Sequence, residues 1–255
     1  MTTMHRDAIL ETRGLTKRFG QFTANEDIGV SFPRGQLTAI IGPNGAGKST
    51  FFNMVSGAFA PSAGEIRFDG RDITGLAQHR FAHLGIAKSF QVTNLFPDLT
   101  VLENVRVAVQ ALDSGFDCWR PRAARRDWIE KAERLLERVQ LQDKRGFRAE
   151  RLSHGEQRAL EIAVALASDP KLLLLDEPTA GMSPEETRSV MDLILALVAE
   201  RTVALVEHKM KLIMGVSDRI VVLHQGRLLA QGSPAEIRAN EDVQRVYLGH
   251  GGQHR

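Results

Sequence analysis

The stretch that most restricts the fold of this 255-residue chain is GPNGAGKS at positions 42–49, which fits the pattern G-x-x-x-x-G-K-[ST]. An apolar segment, LTAII, precedes it, and a segment of helical periodicity beginning KSTFFNMV follows it. This context predicts a phosphate-binding turn between a buried strand and a helix N-terminus. Gly45 and Gly47 allow backbone geometry and close approach that a side chain would block. The alternative, a chance glycine-rich turn, is disfavoured by the flanking elements.

The same stretch supplies candidate ligands for a nucleoside triphosphate and its metal ion. Lys48 can reach the β- and γ-phosphates, and the hydroxyl of Ser49 can hold Mg²⁺. The predicted nucleotide contacts are Asn44, Gly45, Ala46, Gly47, Lys48, Ser49 and Thr50.

Two acids end the segment KLLLLDE at positions 171–177, which is typical of a strand buried on both faces of a parallel sheet. Ligands of such sheets bind at the carboxyl edge, so we expect Asp176 to hold Mg²⁺ and Glu177 to polarise the attacking water. His208 ends the next apolar segment, TVALVEH, and would reach the same edge near the γ-phosphate. Glu207 is a rival base, but alternation along a strand would point it away from His208.

Composition and charge limit the class of protein. A hydrophobic fraction of 43% with 25% charged residues is ordinary for a soluble globular protein. A net charge of +2 does not by itself indicate nucleic acid as a partner. The single cysteine, Cys118, excludes an intrachain disulfide and a multi-cysteine metal site. No apolar run approaches the roughly 18–20 residues of a membrane span, and the start lacks a secretory signal, so we expect a cytoplasmic protein.

Strands that alternate with helices predict a doubly wound α/β core with a parallel sheet. The opening is strand-rich, with short strands in AILETR and IGVSF and a hairpin in GEIRFDGRDI. Between about residues 92 and 149 the pattern changes to helices, which indicates a helical insertion. Its basic cluster, Arg120, Arg122, Arg125 and Arg126, is interpreted as a solvated loop and helix start. RIVVLHQGRLLAQG predicts a hairpin, followed by one or two short terminal helices.

LSHGEQ at positions 152–157 allows two interpretations. Ser153 and Glu156 form a capping box, in which each side chain bonds to the other residue's backbone, and apolar residues follow at helical spacing. Such a start is common in globular proteins. A capped helix N-terminus is also an anion site, so a phosphate-contacting role is compatible with the ordinary one.

In order, GPNGAGKS, LSHGEQ, LLLLDEP and a strand-end histidine resemble the ATPase subunits of ABC transporters over roughly residues 8–249. The resemblance implies a P-loop NTPase core with an antiparallel β subdomain and an inserted α-helical subdomain, all in one ABC ATPase domain over residues 1–255. The core with its β subdomain would cover about 8–91 and 168–232. The helical subdomain with the signature motif would cover about 92–167, and a helical tail 233–255.

The resemblance also implies a head-to-tail dimer with two ATP molecules, each between one subunit's P-loop and the other subunit's signature motif. Glu177, His208, Gln91 and Lys48 would form the catalytic set, and Ser49, Gln91 and Asp176 the metal ligands. Phe19, in TKRFG, would stack on adenine, and Gln91 would sense the membrane partner. The signature residues expected to contact ATP in trans are Ser153, His154, Gly155 and Glu156.

Two motifs depart from the family pattern. His154 stands where the signature normally has glycine, and Glu156 precedes Gln157, although Ser153 and Gly155 are retained. The loop after Pro178 ends in Ser183 where the family has aspartate. Communication between the two ATP sites would then need other contacts, such as those of the backbone.

Several segments, among them TAGMSPEET and the terminal VQRVYLG, are similar to the ATPases of high-affinity branched-chain amino-acid importers. Importers of urea or short amides and lipopolysaccharide exporters are near neighbours. We expect a second copy or a paralogue as ATPase partner, integral membrane permease subunits, and indirectly a periplasmic or extracellular solute-binding protein, at the cytoplasmic face of the membrane. No nucleic acid is expected. The rival classes are a soluble ABC ATPase acting on DNA or ribosomes and a non-enzymatic nucleotide sensor.

Overall fold

The computed structural model describes residues 7–89, 95–112 and 126–248. The strands in these ranges are β1 (Ala8–Phe19), β2 (Phe22–Pro33), β3 (Leu37–Ile41), β4 (Ala63–Phe68), β5 (Arg71–Asp72), β6 (Ile86–Ser89), β7 (Leu172–Asp176), β8 (Thr202–Val206), β9 (Arg219–His224) and β10 (Arg227–Gly232). The α-helices are α1 (Lys48–Val55), α2 (His79–Leu84), α3 (Val101–Ala111), α4 (Arg126–Arg138), α5 (His154–Leu166), α6 (Pro184–Val198), α7 (Met210–Val216), α8 (Pro234–Ala239) and α9 (Glu241–Leu248). The predicted α/β class is confirmed.

A six-stranded sheet in the order β10-β9-β3-β8-β7-β6 forms the centre of the fold. Its strands are parallel except β10, which pairs antiparallel with β9 at one edge. Successive side chains alternate between the two faces. Leu173 and Leu175 of β7 pack in one core with the helical segment, whereas Leu172 and Leu174 pack in a second core with α1. Both faces are covered, which explains the uninterrupted apolar run in β7.

A second, antiparallel sheet has the order β2-β1-β4-β5. The predicted opening strands have the right type but are too short, because β1 continues through Gly14 to Phe19 and β2 begins at Phe22. Register shifts between β1 and β2 absorb the glycines and charges that suggested breaks in the sequence. The hairpin predicted in GEIRFDGRDI is confirmed as β4 and β5.

The helical segment between β6 and β7 contains α3, α4 and α5, which share one core with a face of the central sheet. Thr100 caps α3, since its hydroxyl accepts a hydrogen bond from Glu103 N at 3.1 Å. α4 is rich in charged residues, and Arg126 lies exposed at its start. Arg120, Arg122 and Arg125 lie outside the described residues.

The C-terminal hairpin β9–β10 and the two short helices α8 and α9 are also as predicted. The sequence did not indicate α2, β6 or α7, none of which exceeds seven residues. None of the helices in the described ranges combines the length and hydropathy that a membrane span requires.

Candidate nucleotide-binding site

The glycine-rich loop joins β3 to α1, as the sequence predicts. Gly47 has a φ of 91°, and a Cβ there would lie 2.4 Å from Asn25 Nδ2 and 2.7 Å from Ala24 O. Glycine alone fits both this conformation and this space. Gly47 is also the N-cap of α1 and makes no side-chain cap, so the first-turn N–H groups can serve a ligand. The candidate contacts Asn44, Gly45 and Ser49 are exposed, Thr50 is half-buried and Ala46 is buried.

Lys48 is buried at the start of α1. Its Nζ donates hydrogen bonds to Gly42 O at 2.8 Å and Pro43 O at 3.0 Å, within the loop itself. Burial lowers the pKa of the ammonium, and the negative charges of Glu177 and Asp176 oppose that shift. The loop therefore presents a cation beside the two acids of β7 and its following residue.

Asp176 is the last residue of β7 and is 4% exposed. Burial raises its pKa, and the nearby charge of Lys88 opposes the rise. Lys88, on β6, places its Nζ 3.8 Å from Asp176 Oδ2 and donates to Asn53 Oδ1 at 2.6 Å. Sequence reasoning missed Lys88. The feature that could have indicated Lys88 is a cation within the short strand IAKS, which pairs with the buried β7.

Glu177 follows the strand in an unusual backbone conformation for a non-glycine residue, with a φ of 45°. Its N–H donates to Val206 O at 2.9 Å, which joins the ends of the parallel strands β7 and β8. The side chain is half-buried. This placement brings a carboxylate to the carboxyl edge of the sheet, where the sequence predicted it.

His208 is near the same edge, but β8 ends at Val206, two residues earlier than predicted. The side chain of His208 is 54% exposed, whereas that of Glu207 is fully buried. Glu207 accepts a hydrogen bond from the Thr179 hydroxyl, and its Oε2 lies 4.0 Å from His208 Nδ1. The histidine is thus available to a ligand and the neighbouring carboxylate is held inside the chain.

Phe19 lies at the tip of the β1–β2 hairpin and is 46% exposed. Its ring meets that of Phe59 edge-on at 5.7 Å, and Lys17 Nζ lies 5.2 Å from its centroid. An exposed ring held in place on one side is suited to stacking a planar base. Gln91, the remaining predicted contact, lies outside the described residues.

The signature residues begin α5, and the predicted capping box is present. Ser153 Oγ accepts from Glu156 N at 3.4 Å, and Glu156 Oε2 accepts from Ser153 N at 3.0 Å. Gly155 N donates at 3.1 Å to Oε1 of Glu186, in the first turn of α6. This bond lowers the pKa of Glu186. Within the described part of the chain, no hydrogen bond joins residues 153–156 to the loop at 42–49.

Comparison with known families decides the class of this protein. A sequence profile described as ABC transporter matches residues 25–180. The chain belongs to the ABC transporter family. This ABC protein also matches, over residues 227–252, a profile described as branched-chain amino acid ATP-binding cassette transporter. The family makes it an ABC-type ATPase, as the sequence predicted.

Relatives and solved structures agree with this assignment. The ABC protein is 43% identical to the high-affinity branched-chain amino acid transport ATP-binding protein BraF of Pseudomonas aeruginosa, over 94% of this chain and 98% of BraF. It is 40% identical to LivG of Escherichia coli (strain K12), with the same coverage. The crystal structure of an ABC transporter's ATP-binding cassette in its ADP conformation has a TM-score of 0.86 at 30% identity, covering 95% of this chain and 99% of the other.

A further solved neighbour is a dimeric ATP-binding cassette in a post-hydrolysis state with ADP and phosphate. It has a TM-score of 0.75 at 26% identity, covering 88% of this chain and 98% of the other. Both of these solved cassettes are thus described with ADP, and the second of them is a dimer.

Proposed function

We propose that this ABC ATPase drives uptake of branched-chain or related amino acids through separate membrane subunits. The observation that carries this proposal is the 43% identity to BraF along nearly the whole of both chains. The match of residues 227–252 to a branched-chain amino acid profile supports the same substrate class. The chain would act at the cytoplasmic face of the membrane, with permease subunits that themselves receive solute from a binding protein.

ATP would bind with its adenine on Phe19 and its phosphates in the loop of residues 42–50. The buried ammonium of Lys48 would contact the β- and γ-phosphates, exchanging its bonds to Gly42 O and Pro43 O for charged oxygens. Glu177 would act as general base toward the attacking water, and His208 would contact the γ-phosphate. These roles turn the sheet edge into a site for phosphoryl transfer to water.

The residues present fit Mg²⁺ as the accompanying metal. Ser49 offers an exposed hydroxyl and Asp176 a buried carboxylate, and Mg²⁺ prefers such oxygen ligands together with substrate phosphates. The described residues contain no group of three or more histidine, cysteine or acidic side chains that could hold a metal ion. In this proposal, phosphates and water complete the coordination. When bound, Mg²⁺ neutralises charge on the transferring phosphoryl group. Gln91 remains a third proposed ligand.

The second half of each site would come from another copy or a paralogue. Ser153, His154, Gly155 and Glu156 would face ATP bound to the partner, and none of the hydrogen bonds described at these residues reaches residues 42–49 of the same chain. ATP binding would then close the dimer, and hydrolysis would reopen it.

Mixing two defective variants tests this shared site. Lys48→Ala alone should weaken ATP binding at its own loop, and Gly155→Asp alone should place a repelling carboxylate at the signature. If the sites are shared, a mixture contains a heterodimer with one intact site, which retains one ATP on size-exclusion chromatography. A mixture that retains no more ATP than the variants separately contradicts the shared arrangement.

Uptake and co-purification test the transport role. Deletion of the gene should abolish high-affinity uptake of labelled leucine and leave urea uptake intact. A plasmid-borne copy of the gene should restore leucine uptake. The tagged protein should co-purify with integral membrane subunits. Unchanged leucine uptake with loss of urea uptake would indicate that the transported solute is urea or a short amide. A protein that fractionates with ribosomes or DNA would contradict the transport role.

A further inference from the structure

Arg158 lies in α5, two residues after Glu156, the last of the signature residues, and its side chain is only 10% exposed. Its guanidinium donates to three consecutive backbone carbonyls: Asp176 O at 3.2 Å, Glu177 O at 3.0 Å and Pro178 O at 3.3 Å. The planar fork of arginine suits several acceptors held in fixed directions. Arg158 thus binds the main chain at the site proposed for the general base.

Two further contacts fix the guanidinium itself. Arg158 Nη1 donates to Glu161 Oε2 at 2.6 Å and to Ser89 Oγ at 3.2 Å. Glu161 lies on the same helix and Ser89 ends β6, the strand beside β7. These contacts hold the guanidinium between α5 and the end of β6.

The backbone that Arg158 holds needs such support. Glu177 adopts a φ of 45°, a conformation that costs free energy for a residue with a Cβ and persists only when its surroundings impose it. Its N–H is bound by Val206 O on one side, and its C=O by Arg158 on the other. Loss of the second contact would leave the direction of the carboxylate less defined.

The same helix also contacts the far end of the loop that follows Glu177. Gly155 N donates to Glu186 Oε1, three residues beyond Ser183, the residue that replaces the family's aspartate. α5 is therefore bonded to the beginning of residues 177–183 through Arg158 and to the first turn after them through Gly155. A ligand at the N-terminus of α5 would therefore contact a helix that is hydrogen-bonded to both ends of the segment 177–186.

We propose that Arg158 is a positioning residue that orients Glu177 and links it to the signature helix of the same chain. The link lets engagement of one ATP by the signature residues influence the carboxylate serving the other ATP. This proposal rests on the role of Glu177 proposed above.

Arg158→Lys tests the positioning role, since lysine retains the charge but not the fork. We expect kcat to fall about 10- to 100-fold, the scale of an ångström-level misplacement, with unchanged ATP affinity in a folded protein. Arg238→Lys, at an exposed arginine of α8, is the matched control and should retain the wild-type kcat. A wild-type kcat for Arg158→Lys overturns the proposal.

A double-mutant cycle separates this role from a general structural one. In single-turnover hydrolysis, Arg158→Lys with Glu177→Gln should be no slower than Glu177→Gln alone, because the residue that Arg158 orients is already missing. If Arg158→Lys slows both backgrounds by the same factor, Arg158 does not act through Glu177 and the inference fails. If Glu177→Gln alone hydrolyses ATP normally, the general-base role itself fails.

Glu161→Gln gives a second approach if Arg158→Lys folds poorly. Burial raises the pKa of Glu161, so the neutral, similarly shaped glutamine should be tolerated, while the guanidinium loses its ionic partner. We expect a smaller fall in kcat, which again should vanish in the Glu177→Gln background. A wild-type kcat in this folded variant, or an equal effect in both backgrounds, counts against the link.

Discussion

Lys48 and Asp176 are less than a tenth exposed and are held by contacts inside the chain, whereas Ser153 and His154 are exposed at the start of a helix. We refer to residues 42–50 with Asp176, Glu177 and His208 as the phosphate edge, and to residues 153–156 as the signature edge. The first combines a cation and a glycine turn that follow β3 with two carboxylates at the end of β7, and β8 lies between these two strands. The second has a serine hydroxyl at a helix N-terminus, where the N–H groups of Ser153, Gly155 and Glu156 donate to side chains of α5, its N-cap and α6.

The difference indicates how the two edges can be used. The phosphate edge has the groups proposed for binding and chemistry within one chain, and the burial of Lys48 and Asp176 strengthens the electrostatic interactions there. The signature edge, residues 153–156, contains neither lysine nor arginine. It suits completion of a site that another chain supplies. Substitutions at the two edges should therefore fail in different ways.

The largest effect is expected for Glu177→Gln on the phosphate edge. Removal of the general base should lower kcat by about 10²–10⁴-fold while ATP still binds. Steady-state hydrolysis and equilibrium nucleotide binding on the same preparation measure the two properties. Glu241→Gln, at an exposed acid of α9, is the control. Near-normal turnover would show that Glu177 is not the general base, and the phosphate edge would then be supported as a binding site only.

Lys48→Ala should chiefly weaken ATP binding. Loss of hydrogen bonds from a charged donor to phosphate should raise the Kd about 10- to 150-fold, the equivalent of about 1.5–3 kcal/mol. Fluorescence titration with ATP measures this, with Lys211→Ala, at an exposed lysine of α7, as the control. An unchanged Kd would mean that the buried ammonium serves the loop alone, through its bonds to Gly42 O and Pro43 O.

Ser153→Ala distinguishes the signature edge from an ordinary helix start. α5 and α8 both begin with a Ser-x-x-Glu capping box, at Ser153 and Ser233. Loss of either cap should cost about 1 kcal/mol, or about 2–4 °C in melting temperature. Only Ser153→Ala should also lower the ATPase rate of the dimer. Equal ATPase rates in Ser153→Ala and Ser233→Ala would mean that Ser153 only caps α5 and does not contact ATP.

Much of this fold can be predicted from local patterns. The glycine loop, β7 and the capping boxes follow from residue types at fixed spacings, and the structure contains each of them. Strand lengths in the first sheet could not be predicted, because Gly14 reads as a break although β1 absorbs it through a shift in register. Short elements such as β6 carry too few residues for a period to emerge.

The candidate site divides in the same way. Lys48, Asp176 and Glu177 lie in continuous motifs, so their places could be predicted. The positions of Lys88 and Arg158 depend on which strands and helices come together in space, and their sequences, IAKS and EQRALE, resemble ordinary surface segments. The φ of Glu177 likewise depends on neighbours from β8 and α5.

His154→Gly should have the smallest effect on the ATPase rate, and it tests whether a side chain of the signature edge other than Ser153 contacts the nucleotide. The side chain of His154 is exposed, and the hydrogen bonds described at this helix start are made by Ser153, Gly155 and Glu156. We therefore expect unchanged kcat and KM, with a slight loss of melting temperature from the lower helix propensity of glycine, which is about 1 kcal/mol below alanine in a helix interior. His154→Ala separates the two effects, since it removes the imidazole without that backbone penalty. If both variants lower kcat/KM about 2- to 10-fold, the imidazole contributes a hydrogen bond of ordinary strength to the partner's nucleotide, and the signature edge then includes a side-chain donor in addition to its backbone.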